Sequence, residues 1–135
     1  TLLHSIPFIS FMDPLTDVPE HFRDALKGFQ STDIVHIDSG MSVGGHSFDT
    51  DFDVGAAASL YAKLIRSSRE TRAMIGMDDA PAEDLLLSTD QRYTLIRMIG
   101  DTAYAHILMV DRDSNLGVCR ALMRQAEPDL LDAVQ

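Results

Sequence analysis

Three things are scarce in this 135-residue sequence: cysteine, basic side chains and long apolar runs. The single cysteine, Cys119, cannot form an internal disulfide, so a reducing cytoplasm is the expected compartment. Only 11 lysines and arginines accompany 21 acidic residues, and the net charge of −10 argues against nucleic acid as a partner. No apolar run approaches the roughly 18 residues of a membrane span, so membrane insertion is not expected.

Hydrophobic spacing predicts a helix, two strands, a second helix, three strands and a last helix. The first helix should begin at Asp17, where Glu20 completes a capping box and Pro19 fits the first turn. It should end between residues 28 and 31. The segments TDIVHID and MSVGGHSF predict a hairpin, whose glycine pair marks a bulge or a close backbone approach.

A long alanine-rich helix follows, DVGAAASLYAKLIRSSRETRAMI, and then a meander of EDLLLST, RYTLIRMIG and AYAHILMVD. The last of these strands is almost wholly apolar and should lie in the centre of the sheet. Its one exception, His106, is expected to be a core or interface residue and not a ligand. A final amphipathic helix ends the domain, with Pro128 expected to kink or interrupt it.

These elements predict an α+β fold, a five-stranded antiparallel sheet flanked by helices in the order α-β-β-α-β-β-β-α. The predicted organisation is an N-terminal extension over residues 1–16 and one domain over residues 17–135. No internal repeat or linker divides the chain further.

Two acidic segments look like calcium loops. One contains Asp49, Asp51, Asp53 and Gly55, and the other contains Asp111, Asp113, Asn115 and Gly117. A calcium-binding EF-hand loop requires Gly at its sixth position and Glu at its twelfth, and both segments lack both residues. Each segment directly precedes an apolar helix, so its side chains are expected to cap that helix.

The hairpin contains two other candidate sites. His36, Asp38 and His46 would supply three zinc ligands, although a solvated surface is the favoured interpretation. GMSVG fits the G-x-S-x-G pattern of a serine nucleophile at Ser42, but that elbow joins a strand to a helix, and a strand is predicted here. We therefore predict no catalytic residue, no metal and no cofactor.

Two surfaces are candidates for protein contacts. The strand LLLS should be a sheet edge, and an apolar edge needs to be covered or paired. The small side chains of the second helix allow close approach, either to the domain's own sheet or to a second subunit. The predicted dimer interface comprises Ala57, Ala58, Tyr61, Leu64, Leu85, Leu86 and Leu87. Four cations recur at every third position and form either a solvated helix surface or a partner-binding surface: Lys63, Arg66, Arg69 and Arg72.

The stretch VDRDSNLGVCRALMR resembles the Roadblock/dynein light-chain family, whose members end a meander strand with an acidic turn and begin the last helix with Asn-Leu-Gly. The matching residues are Asp111, Asp113, Asn115, Leu116, Gly117 and Arg120. The hairpin DIVHIDSGMSVGGHSF and the helix GAAASLYAKLIRSSRE are also similar to family segments. The resemblance therefore runs from about residue 18 to residue 135.

This resemblance implies a non-enzymatic regulator. Family members dimerise by pairing their third strands and packing their second helices, and they act as scaffolds or as regulators of Ras-like small GTPases. The expected function is therefore a homodimeric regulatory or scaffold domain that binds a small GTPase or a related protein. Two alternatives stay open: a small-molecule sensor with its ligand between sheet and helix, and a serine hydrolase that uses Ser42.

Overall fold

The computed structural model describes residues 11–47, 52–79 and 83–135. Within these ranges the chain forms its helices and strands in the predicted order, so the predicted fold class is confirmed. The elements are α1 (Pro14–Ala25), β1 (Phe29–His36), β2 (Met41–Ser47), α2 (Val54–Met74), β3 (Leu85–Ser88), β4 (Arg92–Met98), β5 (Tyr104–Asp111) and α3 (Leu116–Val134). None of the helices in the described part of the chain is long and apolar enough to cross a membrane.

The five strands form one antiparallel sheet in the order β2-β1-β5-β4-β3. The β1–β2 hairpin joins the β3–β4–β5 meander where β1 pairs with β5, with Ile34 opposite His106. The apolar strand β5 is therefore central, as predicted, because strands flank it on both sides and helices cover both of its faces. The two edges of the described sheet are β2 and β3.

Helices cover both faces of the sheet. On one face α1 and α3 share a core that includes Phe22 and Leu130. On the other face Ala62 and Ile65 of α2 pack against the strands. Because successive side chains of a strand point to opposite faces, each strand contributes to both cores.

The start of α1 differs from the prediction. The helix begins at Pro14 with Asp13 as the N-cap residue, so the predicted start at Asp17 is wrong. The carboxylate of Asp17 accepts a hydrogen bond from the Asp13 N–H at 3.0 Å, and Thr16 Oγ1 donates to Asp13 Oδ2 at 3.0 Å. These contacts place the cap one turn earlier than the predicted pair of Asp17 and Glu20. The helix also ends earlier, at Ala25.

The first residues of α1 fall within residues 1–16, the expected extension, of which residues 1–10 lie outside the described residues. Phe11 and Leu15 pack against the core formed by α1, α3 and the sheet. At least this part of the segment is therefore structurally continuous with the domain.

The glycine pair of β2 has a specific packing role. Pro19 lies inside α1, and because proline has no N–H, the carbonyl of Leu15 lacks its helical hydrogen bond. Gly44 lies so close to that carbonyl that an added Cβ would collide with it. The register of the hairpin also shifts beside Gly44, between Ile34 and Val35. Both a bulge and a close backbone approach are therefore present, as the glycines indicated.

Candidate functional site: the edge formed by β3 and α2

Strand β3 is a short apolar edge. Its four residues pair only with β4 within the described sheet, with Leu86 opposite Leu95 and Leu87 opposite Thr94. Leu85 is partly buried against the α2 side, whereas Leu86 and Leu87 remain 39% and 43% exposed. An edge strand with exposed leucines offers unpaired backbone groups and apolar surface to another strand.

The predicted interface residues of α2 lie mostly toward the chain's own sheet. Ala58 is fully buried in the core beneath α2, and Tyr61 and Leu64 pack partly buried against the same core. Ala57 is half-buried. The small side chain of Ala58 thus permits close packing of α2 on the sheet, the intramolecular alternative weighed above, and Ala58 offers no surface to a partner.

Sequence reasoning missed Leu60. This side chain is 66% exposed on the outer surface of α2. The available signal was its position on the helix, about 160° from Ala58 and about 140° from Ile65, two residues of the buried stripe. A leucine outside the core-facing stripe of an amphipathic helix is a candidate contact residue.

The four cations of α2 do not share one surface. Each third residue of an α-helix lies about 60° behind the previous one, so the series winds around the helix. Arg66 Nη1 donates to the carbonyl of Ile37 at 2.6 Å, and Arg69 Nη2 lies 3.6 Å from Met98 Sδ. Lys63 is exposed on the outside of the helix. Arg72 borders the crevice between α2 and the sheet, together with Arg69.

That crevice separates α2 from β3 and β4. It is lined by Ile65, Arg69, Leu85 and Met98, among others, and its volume is about 10 Å³. This is room for about one water molecule, whereas ligand pockets measure about 300–1,000 Å³. Among the described residues, this crevice is therefore too small for the ligand of the small-molecule sensor alternative, whereas an open cleft of about 490 Å³ lies beside it, lined in part by Arg69, Arg97 and Glu127.

Salt bridges fix the chain at the N-terminal end of β3. Arg120 of α3 binds Asp84 in a bidentate geometry, with Nε–Oδ2 and Nη2–Oδ1 distances of 2.9 and 3.2 Å. Arg124 donates to Glu83 at 3.4 Å. The family-motif residue Arg120 therefore holds the segment that leads into the edge strand.

A third arginine fixes the other end of β3. Arg112 Nη1 donates to the carbonyl of Thr89 at 2.8 Å and also to Ser88 Oγ. Its guanidinium lies over the ring of Tyr93, 4.6 Å from the centroid. Arg112, Arg120 and Arg124 all belong to the segment VDRDSNLGVCRALMR, so this one segment reaches both ends of the edge strand.

The other motif residues shape the β5–α3 connection. Asp111 accepts a hydrogen bond from Gln30 Nε2 at 2.7 Å, and Asn115 Oδ1 accepts one from the Val118 N–H at 3.2 Å. Leu116 packs against the core of α1 and α3, whereas Asp113 and Gly117 are exposed.

Both helices that follow an acidic segment are capped by it, as predicted. Asn115 is the N-cap residue of α3. Asp53 caps α2 in the same way, accepting from the Ala56 N–H at 3.0 Å. Asp49 and Asp51 lie outside the described residues. Beyond its cap, α3 continues through Pro128 to Val134, so the predicted interruption at Pro128 does not occur.

The hairpin does not assemble the other candidate sites. His36 pairs with Met41 at one end of the hairpin and His46 with Thr32 at the other, so the two imidazoles do not converge with Asp38. Ser42 lies within β2, not at a strand-to-helix turn, and it donates its hydroxyl to Asp33 Oδ1 at 2.5 Å. Its position thus lacks the geometry of a nucleophile elbow.

Asp33 is the buried polar group that sequence reasoning missed. Burial, partly offset by hydrogen bonds from Ser42 and the backbone, raises the pKa of its carboxyl to about 6. The other carboxyl oxygen, Oδ2, is buried without a hydrogen-bond partner among the described residues. The signal available in the sequence was a single Asp within the otherwise apolar segment DIV.

His106 is a core residue, as expected. Its Nε2 lies 2.9 Å from Thr32 Oγ1, and its ring packs edge-on against Phe22 at 4.9 Å. Because Thr32 uses its hydroxyl hydrogen on the carbonyl of Ile107 at 2.7 Å, the proton of the imidazole lies on Nε2. Burial lowers the pKa of His106 to about 3, so the ring is neutral at physiological pH.

Comparison with solved structures identifies the fold. No protein-family model matches the sequence, and no curated protein matches it. A Roadblock/LC7 domain from Streptomyces avermitilis superposes with a TM-score of 0.75 at 15% identity, covering 90% of this chain and 95% of that one. The fold is that of a Roadblock/LC7 domain. The resemblance drawn from the sequence is confirmed at this level.

Two further structures share the Roadblock/LC7 fold with this chain. Myxococcus xanthus MglB superposes with a TM-score of 0.77 at 15% identity, covering 91% of this chain and 96% of that one. An MglB in a tetrameric arrangement gives a TM-score of 0.75 at 12% identity, covering 87% of this chain and 85% of that one. At such identities the likeness establishes the Roadblock/LC7 architecture and nothing more specific.

Proposed function

We propose that this protein is a homodimeric regulatory or scaffold domain that binds a Ras-like small GTPase or a related protein and modulates its activity. The observation that carries the proposal is the apolar edge strand β3, which exposes Leu86 and Leu87 at the edge of the described sheet. The shared Roadblock/LC7 fold, together with the family's implied use of its third strand in dimerisation, supports the same conclusion.

A second copy of the chain is a suitable occupant of this edge. Antiparallel pairing of β3 with its copy is compatible with two-fold symmetry, in which each subunit contributes the same surface. Since α2 covers one face of each sheet, the two α2 helices would lie on the same side of the extended sheet. Leu87 and the exposed Leu60 then become candidates for burial between subunits. The tetrameric arrangement of one MglB structure supports self-association in this architecture.

The partner-binding surface is proposed to include two of the four cations of α2, Lys63 and Arg66, which are exposed and neighbours in the series. The chain carries a net charge of −10, so Lys63 and Arg66 form a local positive surface on an otherwise acidic protein. Such a surface favours an acidic patch on a partner and accelerates encounter. No arginine is assigned to the chemistry of GTP hydrolysis. We expect the domain to reposition the GTPase's own residues.

Sedimentation equilibrium over a micromolar concentration series tests the dimer. The wild type should sediment as a dimer, and Leu87→Asp as a monomer, because the substitution places a charge in the paired edge. The matched control is Val118→Asp, whose side chain is 49% exposed on α3 away from β3. This control should remain dimeric. A wild type that stays monomeric throughout the series would refute dimerisation.

The GTPase partner is tested in two steps. Affinity purification from the native lysate, scored for a Ras-like GTPase, should recover one with the wild type. The purified GTPase should then change its single-turnover GTP hydrolysis rate when the domain is added. Lys63→Glu combined with Arg66→Glu should weaken binding, whereas Arg23→Glu on α1 should not. Failure of every recovered GTPase to bind the purified domain would contradict the proposal.

A further inference from the structure

Three arginines of one segment hold the two ends of the edge strand. We propose that the segment VDRDSNLGVCRALMR positions β3 as a preformed edge for pairing with a second copy of the chain, with Arg120 as its principal positioning residue. The inference rests on the proposed function, because it concerns how the dimer edge is prepared. It assigns a role to Arg112, Arg120 and Asp84 that the fold alone does not require.

Of the contacts at the two ends of β3, the one at the N-terminal end is the stronger. The guanidinium of Arg120 forms two hydrogen bonds with Asp84, at 2.9 and 3.2 Å, and the side chain of Asp84 is only 10% exposed. A bidentate arginine–carboxylate pair fixes orientation as well as distance. Arg124 adds a longer contact to Glu83, which is largely exposed and contributes little. Arg120 therefore determines where the chain enters β3.

The C-terminal contact fixes where the chain leaves β3. Arg112 donates to the carbonyl of Thr89, just past the last residue of the strand, and to the hydroxyl of Ser88. The stacking of its guanidinium on Tyr93 of β4 restricts the arginine itself. Both ends of the strand are thus held by arginines of the segment VDRDSNLGVCRALMR.

Holding both ends of β3 matters because the strand is short and, in the described part of the chain, is hydrogen-bonded to a neighbouring strand on one side only. It contains four residues and pairs on one side only within the described sheet. Ordering a chain segment costs conformational entropy, and association is weaker when that cost is incurred on binding. Because both ends of β3 are held, the entropy of the strand is lost when the chain folds. Less entropy is then lost when a partner strand binds to the edge.

The test combines dimer affinity with local hydrogen exchange. Arg120→Met and Asp84→Asn should each raise the dimer dissociation constant roughly tenfold, as expected when a charge-assisted pair that prepares the edge is lost. Amide exchange of Leu85–Ser88 should accelerate in both variants, while exchange in β5 stays unchanged. Arg120→Lys keeps the charge but loses the bidentate geometry, and it should behave like Arg120→Met. The matched control is Arg23→Met, which removes the exposed pair with Asp24 on α1 and should alter neither measurement.

Exchanging the charges of Asp84 and Arg120 tests whether the salt bridge positions β3 or only stabilises the fold as a whole. Asp84→Arg combined with Arg120→Asp should recover most of the dimer affinity that either single substitution loses. Unchanged affinity and unchanged β3 exchange in Arg120→Met would overturn the proposal, and so would equal acceleration of exchange in β3 and β5. A monomeric wild type would instead refute the proposed dimer. The β3 exchange of monomeric Arg120→Met would then still decide whether the arginine holds the strand.

Discussion

Ser42 of β2 donates its hydroxyl hydrogen to Asp33 of β1 at 2.5 Å, inside the layer between the sheet and α2. The hydrogen bond stabilises the charged carboxylate, but burial outweighs it, and the pKa of Asp33 rises to about 6. The serine that fits a nucleophile pattern in the sequence is therefore a partner of a buried acid.

Because the pKa of Asp33 is raised, we expect the substitution Asp33→Asn to stabilise the folded protein by an amount that depends on pH. An acid whose folded pKa lies above its unfolded value of 3.8 favours folding below that value, and this contribution is lost as pH rises through about 6. At pH 8 the variant should be more stable than the wild type by up to about 3 kcal/mol, and near pH 4 the difference should disappear. Urea unfolding at both pH values measures this.

The control for this comparison is Asp38→Asn, because Asp38 is exposed in the β1–β2 turn. It should change stability little at either pH. Equal stabilisation of Asp33→Asn at pH 4 and pH 8 would show that the buried charge is not the cause.

His106 should remain neutral at pH 5, with its proton on Nε2. Burial lowers its folded pKa to about 3, below its ordinary value of 6.5. The contribution of the neutral His106 ring to the stability of the folded state is present above pH 6.5 and is lost as pH falls toward about 3. Long-range ¹H–¹⁵N correlation spectra report both the charge and the tautomer. A charged ring at pH 5, or a proton on Nδ1, would contradict the hydrogen bond assigned to Thr32.

Gly44→Ala should destabilise the protein by about 1–3 kcal/mol, the usual cost of forcing extra volume into a packed site. The physical reason is the collision of the new Cβ with the Leu15 carbonyl. Thermal unfolding measures the effect. Gly55→Ala is the matched control, because a Cβ there meets only Asp53 Oδ1 at 3.5 Å. In the helix α2 this control should be neutral or stabilising by up to about 1 kcal/mol.

If Asn115 caps α3 and does not bind calcium, its mutation should lower the stability of the protein, whereas added calcium should not change it. Asn115→Ala should cost about 1 kcal/mol, because the Val118 N–H loses its acceptor. Adding millimolar calcium should leave the melting temperature of the wild type unchanged. Asp113→Ala serves as the control, since Asp113 is exposed and does not cap the helix. A calcium-dependent rise in melting temperature that Asp113→Ala abolishes would restore the metal interpretation.

Much of the fold could be predicted because its signals are local. Asn115 caps a helix that begins at the next residue, and the apolar run of β5 requires burial on both faces wherever the strand lies. The start of α1 was predicted wrongly because two sites in the sequence have the capping residues of a helix start, Asp13–Pro14 and Asp17–Glu20. The contacts of Asp13 with Thr16 and Asp17 accompany the earlier start in the folded chain.

The candidate site was only partly predictable. The apolar edge Leu85–Ser88 follows from composition and strand length, but the salt bridge between Arg120 and Asp84, the residue before the strand, does not. Arg120 and Asp84 are 36 residues apart, and only the meander and the return of α3 bring them together. Ala58 could equally face a second subunit or its own sheet until the packing of α2 was known.

By itself, then, the sequence determined the order of helices and strands, the fold class and the caps that begin α2 and α3. Periodicity and capping act over a few residues, so the sequence carries them directly. Only the tertiary structure decided that Asp33 is buried, that Ala58 faces inward and that one segment holds both ends of β3. These properties depend on distances between residues remote in the chain, and the packing of helices on the sheet sets those distances.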